Sequence, residues 1–186
     1  RAMLQSLTQE STNLSLVFEQ NTERTASEID RIIRYLRATY ERNGYTADWP
    51  VLVQEEFTAN RRTVQIAIMD VKGMMITSTK MLHPEKPVDL SDREHFRVHV
   101  DADSRNFFVS KPVLGRASGK WSVQLTRRIN RADGSFGGVA VISLDPFYFT
   151  TFYSDLDLGR HGVVTLVGLD GIVRATSQLI LWHVAA

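Results

Sequence analysis

Apolar residues recur at helical spacing through the first forty or so positions. Leu4, Leu7, Ser11, Leu14, Phe18, Asn21, Thr25, Ile32 and Leu36 stand at steps of three, four or seven. They form one narrow stripe, polar at its middle. Ile29, Ile33 and Tyr40 widen the stripe toward its C-terminal end. No Pro or Gly interrupts the run before Gly44, a reasonable C-cap. The pattern predicts a helix from about Leu4 to Tyr40. A helix of about 40 residues is roughly 60 Å long, more than an ordinary globular helix. It reads as a long packing helix or a coiled-coil dimer seam. It also reads as a signalling stalk leading toward a membrane helix, and the two readings are compatible.

The period then changes. Trp49-Pro50 opens a short helix that includes Val51, Leu52, Val53 and Phe57. Val64 to Asp70 alternates and is rich in β-branched residues. Gly73 and the apolar run Met74 to Ser78 follow, so the two runs predict a β-hairpin. Residues His83 to Leu90 hold two prolines and predict a loop. Ser91 and Glu94 have capping-box spacing for a helix from about Asp92 to Val100. Phe107–Val109, Trp121–Ile129 and Phe136–Leu144 predict strands, the last two joined by an Asn-Arg-Ala-Asp-Gly turn. Asp145-Pro146 places an N-cap and a first-position proline at the start of an aromatic helix bearing Phe147, Phe149, Phe152 and Tyr153.

One stretch occurs twice. Residues 67–79 read AIMDVKGMMITST and residues 165–177 read TLVGLDGIVRATS. Apolar positions, the turn glycines Gly73 and Gly171, and the trailing Ser/Thr positions coincide at one offset. Either two hairpins resemble each other by chance, or a domain is duplicated and its first hairpin appears twice. On the second reading the later copy is incomplete, because only 178–186 follow it.

Composition narrows the function classes. The 186 residues include 43% hydrophobic side chains, enough for an ordinary core. Lys plus Arg number 22 and Asp plus Glu 21, for a net charge of +1. That balance argues against a nucleic-acid-binding surface as the main function. The chain has no cysteine, which excludes disulfides, thiol catalysis and zinc–thiolate sites. No apolar run reaches the ~18 residues a transmembrane helix needs, and no signal peptide is visible.

The order of long helix, hairpin, short helix and meander is that of an extracytoplasmic PAS-like domain. PVDLSDREHFRVH (87–99), GKWSVQLTRRI (119–129) and DGSFGGVAVISLDPFYF (133–149) resemble double Cache sensor domains of bacterial histidine kinases and diguanylate cyclases. DLGRHGVVTLVGLDGIVRA (157–175) resembles the start of their second, membrane-proximal module. The resemblance covers nearly all of the chain except its last ten or so residues.

It implies an α+β fold. Residues 1–44 would form a long signalling helix and 45–155 a membrane-distal PAS-like Cache module. Residues 156–186 would begin an incomplete second module. It also implies a periplasmic domain of an inner-membrane receptor. Such a domain binds a small carboxylate or amino-acid-like ligand in the distal module and signals by a conformational shift. A homodimer through the N-terminal helix would fit that role. No cofactor and no enzymatic activity are expected of this region. The alternative is a cytoplasmic PAS-like module that binds a cofactor or only dimerises.

In amino-acid-binding relatives an Arg followed by an aromatic pair holds the ligand carboxylate, and here the matching residues are Arg93, His95 and Phe96. The planar fork of Arg93 suits a carboxylate, although Arg93 is equally readable as a solvated helix residue. His95 and Phe96 stand where that pattern often has Trp and Tyr, a departure that leaves small anions other than α-amino acids open. Asp145 matches the Asp that binds the ligand amine, and it is already explained as a helix cap. Trp121 opens a strand that faces the pocket in the family. If Trp121 faces inward, so does Arg127, while Gln124 faces the other way. His95 and His99 lie four apart without an evident third metal ligand. No phosphate loop, nucleophile elbow or paired-carboxylate site is readable, Asp101 and Asp103 included.

Overall fold

A computed structural model describes residues 2–44, 63–80, 87–100, 106–150 and 162–177. The predicted helix is present as α1, Ala2–Asn43, and Gly44 ends it with φ 59°. From Thr25 onward α1 is buried at Thr25, Ile29, Asp30, Ile33, Leu36 and Thr39. Before that point Leu4, Leu7 and Leu14 remain 70%, 51% and 41% exposed, so the N-terminal part of the stripe meets no core. No described helix is long and apolar enough to cross a membrane.

The strands are β1 (Thr63–Met69), β2 (Met74–Ser78), β3 (Val88–Asp89), β4 (Phe108–Val109), β5 (Val113–Leu114), β6 (Trp121–Asn130) and β7 (Phe136–Leu144). They form one antiparallel sheet in the order β3-β2-β1-β7-β6-β4, and β5 also pairs with β6. The central pairing of β1 with β7 brings the first hairpin against the last strand of the meander. Gly138 makes that approach possible. Its φ is 137°, and a Cβ there would lie 2.2 Å from the Met69 carbonyl oxygen.

Alternation along the strands sorts side chains into two layers. Ile66, Ile68, Val123, Leu125, Ile129, Ala140, Ile142 and Leu144 pack with Ile29, Ile33 and Leu36 of α1. The opposite face holds Ala67, Met69, Met75, Val139 and Val141 against Phe96 of the short helix α2 (Glu94–Val100). Full burial of one such aliphatic side chain contributes about 1.5–3 kcal/mol. The two layers therefore anchor α1 and α2 on opposite sides of one sheet.

Two start signals resolve differently from the sequence expectation. α2 begins at Glu94, and Ser91 does not cap it as a box. Ser91 donates its backbone N–H to Asp89 Oδ1 at 2.9 Å, an Asx turn that uses the local carboxylate instead. Asp145 does cap, accepting from Phe147 N at 2.9 Å, but the element it starts is a single 3-10 turn, Pro146–Phe149. The expected helix around 49–57, the extension through Phe152 and Tyr153, Asp101, Asp103 and the segment 178–186 lie outside the described residues.

The duplicated stretch folds as the same hairpin twice. β8 (Thr165–Val167) pairs with β9 (Val173–Thr176) in a separate sheet. In the first hairpin Ala67, Ile68 and Met69 face Ser78, Thr77 and Met75. In the second, Thr165, Leu166 and Val167 face Thr176, Ala175 and Val173, with the irregularity at the same step. The flanking bonds repeat as well. Ile66 N donates to Thr79 Oγ1 at 3.1 Å, and Val164 N donates to Ser177 Oγ at 3.0 Å. Gly73 and Gly171 take φ 82° and 76°. One difference matters: a Cβ at Gly73 would lie 2.5 Å from Ser91 Cα, whereas nothing stands within 4 Å of that position at Gly171. Leu166 and Ala175 nonetheless join the core cluster on the α1 side of the sheet, and β9 packs against the Pro146–Phe149 turn.

Candidate ligand-binding site

The face of the sheet beneath α2 is part apolar and part polar. Gln65, Gln124 and Ser143 line a small cavity with Ala67 and Val141. Met75 and Leu90 close one side, and Arg93 and His95, at the start of α2, stand over it. The segment from Val113 to Ser118 covers the remainder. The free volume is about 30 Å³, room for one or two waters.

The floor is a fixed polar network. Ser143 Oγ donates to Gln124 Oε1 at 2.6 Å, and Gln124 Nε2 donates to Ser122 Oγ at 2.8 Å. Ser110 Oγ accepts from Gln124 N at 2.9 Å, tying β4's end to the same point. Gln65 is held less firmly. Among the described residues its buried Nε2 meets only Met75 Sδ, at 3.4 Å, and a thioether is a weak acceptor.

The cover is latched by arginines. Arg116 donates from both terminal nitrogens to Asp92, at 2.6 and 2.7 Å, and also to the Asp89 carbonyl at 2.8 Å. This fork-on-carboxylate geometry is strongly directional. Arg93 Nη2 donates to the Leu114 carbonyl at 3.2 Å. Lys111 and Glu94 add a looser pair at 3.6 Å.

Two histidines lie behind Arg93. His95 is 5% exposed, and burial, then the nearby Arg93, pushes its pKa down to about 4. His99 is 1% exposed and bonds Thr126 Oγ1 through Nε2 at 2.8 Å. Burial and then Arg128 lower its pKa to about 4 as well. Both rings are neutral at physiological pH. Among the described residues, no cluster of three His, Asp or Glu ligands stands ready for a metal ion.

The cavity gathers Arg93 and His95 of the residues singled out in the sequence. Phe96 is in the core, edge-on to Phe136 with centroids 5.7 Å apart. Asp145 caps the 3-10 turn and does not line the cavity. Arg127 is on the other face, where it pairs with Asp30 of α1. Trp121 shares that register, half-buried at the start of β6. Trp121 and Arg127 thus share the α1 face of the sheet, and Gln124 lies on the face of the cavity. Strand alternation allowed either choice, and the burial of α1 against Val123 and Leu125 decides it. Gln65 and Ser143 went unremarked in the sequence, and Gln124 was weighed there against Arg127 and set aside. Their signal was a polar residue at a core-facing position of an otherwise apolar strand.

A second cavity of about 300 Å³ lies between Tyr40, Glu41, Asp70 and Asn130. Its acidic groups are already engaged. Glu41 Oε1 accepts from Asn130 N at 2.9 Å, and Asp70 Oδ1 accepts from Lys72 N and Met74 N at 2.8 and 2.9 Å.

Among solved structures, the extracellular domain of a protein described as a histidine kinase, rpHK1S-Z16, matches with a TM-score of 0.82 and 26% identity. The match covers 91% of this chain and 71% of that one. The fold is that of a Cache-type extracellular sensor domain. Two chemoreceptor sensor domains share it. The ligand-binding domain of Campylobacter jejuni Tlp3, solved with L-norvaline, matches with a TM-score of 0.69 and 11% identity over 95% of this chain and 72% of that one. The ligand-binding domain of Pseudomonas fluorescens CtaA, solved with L-alanine, gives 0.64 and 16% over 88% and 70%. No family model and no curated protein matches the sensor domain.

Proposed function

We propose that the chain is the extracytoplasmic small-molecule sensor of a membrane-bound bacterial receptor, with a histidine kinase or diguanylate cyclase as its output. The observation that carries this reading is the small cavity beneath α2, apolar for the most part but lined also by Gln65, Gln124, Ser143 and Arg93, in a sheet whose other face carries α1. The ligand is a small anion clamped by Arg93. The chemistry of the lining is that of binding, so the domain itself is not an enzyme. Residues 45–155 form the sensing module, and the repeated hairpin opens a second, membrane-proximal module.

The mechanism is a population shift. A ligand larger than one or two waters fits only when the Val113–Ser118 cover moves and α2 adjusts. Phe96 links α2 to the sheet, and the sheet's other face packs on α1. Differential binding to the adjusted arrangement biases α1, and the exposed leucine stripe carries that bias along a dimer seam. The similarity to extracellular domains supports this reading and lends no support to a cytoplasmic cofactor module.

The test is a chimera in which this domain replaces the sensor region of a histidine kinase with a reporter output. A response to an external small carboxylate that is lost on Arg93→Ala supports the proposal. A chimera that is expressed and folded but responds to no carboxylate, amino acid or other small anion contradicts it.

A further inference from the structure

The charges around the cavity are unevenly settled. Arg116 is fully engaged by Asp92. Arg93 has no carboxylate partner among the described residues, and its hydrogen bond goes to a neutral carbonyl. Every other polar side chain of the described lining is uncharged: Gln65, Gln124, Ser118, Ser143 and the neutral His95. No Asp or Glu belongs to that lining. Among the described residues, then, Asp92 lies near Arg93 but is taken up by Arg116, Arg93 makes no ion pair of its own, and no anionic acceptor lines the cavity.

The neutral donors are equally uneven. Gln124 has both ends of its carboxamide committed to serines. Gln65, 6% exposed, has an Nε2 that meets only a sulfur among the described residues. A buried amide donor held by so weak an acceptor gains from an oxygen within reach.

We infer that the cavity takes a small organic monoacid without an ammonium group, its carboxylate on Arg93 and a second oxygen on Gln65 Nε2. The inference rests on the function proposed above and narrows its ligand class. An α-amino acid brings an ammonium group whose three donors need acceptors and whose charge needs a partner. Here it would be buried beside Arg93, with no carboxylate among the described lining residues to meet it. Leaving such a group unpaired is costly, and sites discriminate strongly on that basis. A 2-hydroxy or 2-oxo acid of the same skeleton keeps the carboxylate and presents an oxygen to Gln65 instead. The chain thus departs from the amino-acid complexes of the chemoreceptor domains that share its fold.

The test uses matched pairs on the purified domain. L-alanine is compared with L-lactate and pyruvate, and L-valine with 2-hydroxy-3-methylbutanoate and its 2-oxo counterpart. Thermal shift screens them and calorimetry measures affinity. The expected result is that hydroxy or oxo acids bind at least tenfold tighter than their amino partners. Gln65→Met should cost the oxygen-bearing acid about tenfold. Amino acids binding as tightly as their partners, with binding lost on Arg93→Ala, overturn the inference and leave the anion clamp standing. No binding by any member of any pair overturns the inference, while the proposed function stands or falls by the chimera. Gln65→Met with unchanged affinity overturns the role of Gln65.

Discussion

Arg127 grips Asp30 with two nitrogens, Nε on Oδ1 and Nη2 on Oδ2, the second at 2.9 Å. The pair ties α1 to the central strand β6, and its side chains are only 10% and 12% exposed. Burial alone would raise the Asp30 pKa. Arg127 and then Arg34 outweigh it and hold the carboxyl below its ordinary value. Asp30→Asn leaves a largely buried guanidinium without its counter-charge, so it should destabilise the domain by ~3 kcal/mol. Replacing both partners with apolar residues, Asp30→Leu with Arg127→Met, should recover much of that loss. Urea denaturation of the three variants measures both effects.

Acidification should weaken the fold before the carboxylates titrate. His95 and His99 fall from 6.5 to about 4 on folding. Between those values the unfolded chain binds protons that the folded chain does not. Stability is therefore complete above pH 6.5 and declines as pH falls toward 4, by on the order of 3 kcal/mol for each ring. Below that, loss of the Asp30 pair adds to the decline. His99→Gln should flatten the pH dependence between 6.5 and 4, as read from melting temperatures across that range.

The cover over the cavity should loosen when its latch is cut. Arg116→Ala removes both bonds to Asp92 and the one to the Asp89 carbonyl. Amide exchange should rise at Gly115 and Gly119, whose N–H groups close the turn onto Lys120 O and Gly115 O. It should stay unchanged at the β6–β7 pairing, whose register is unbroken from Val123 opposite Leu144 to Ile129 opposite Gly138.

The leucine stripe of α1 should support self-association. Leu7 and Leu14 stand one heptad apart with Leu4 three residues before them, and all three remain exposed in the single chain. The domain should sediment as a dimer at high concentration, and Leu7→Lys with Leu14→Lys should return it to monomer. A wild-type monomer at the same concentration would count against the seam.

Much of this architecture is written in periodicity. The 3.6-residue stripe of α1 and the alternation in β6 and β7 need only burial to be expressed, so their bounds follow from the pattern. The repeat at residues 67–79 and 165–177 was legible because apolar positions, turn glycine and trailing Ser/Thr all recur at the same offset, and the bulge recurs with them in the fold. The site was less legible. Arg127 and Arg93 look alike in sequence, and only the placement of Asp30, 97 residues away, shows that one of them is committed to α1. Gln65 acquires meaning only when β1 pairs with β7 and brings it beside Ser143. Phe96 offered an aromatic ring that served the core equally well, and its partner Phe136 lies far along the chain.

The central claim is that Arg93 holds a ligand anion in the cavity beneath α2. The most direct measurement is the thermal stability of the wild-type domain and of Arg93→Ala, each with small carboxylates present. A carboxylate at 100 times its Kd should stabilise the wild type by about 2.7 kcal/mol, and Arg93→Ala should abolish the gain while melting normally without ligand. Stabilisation of equal size in both proteins would contradict the claim.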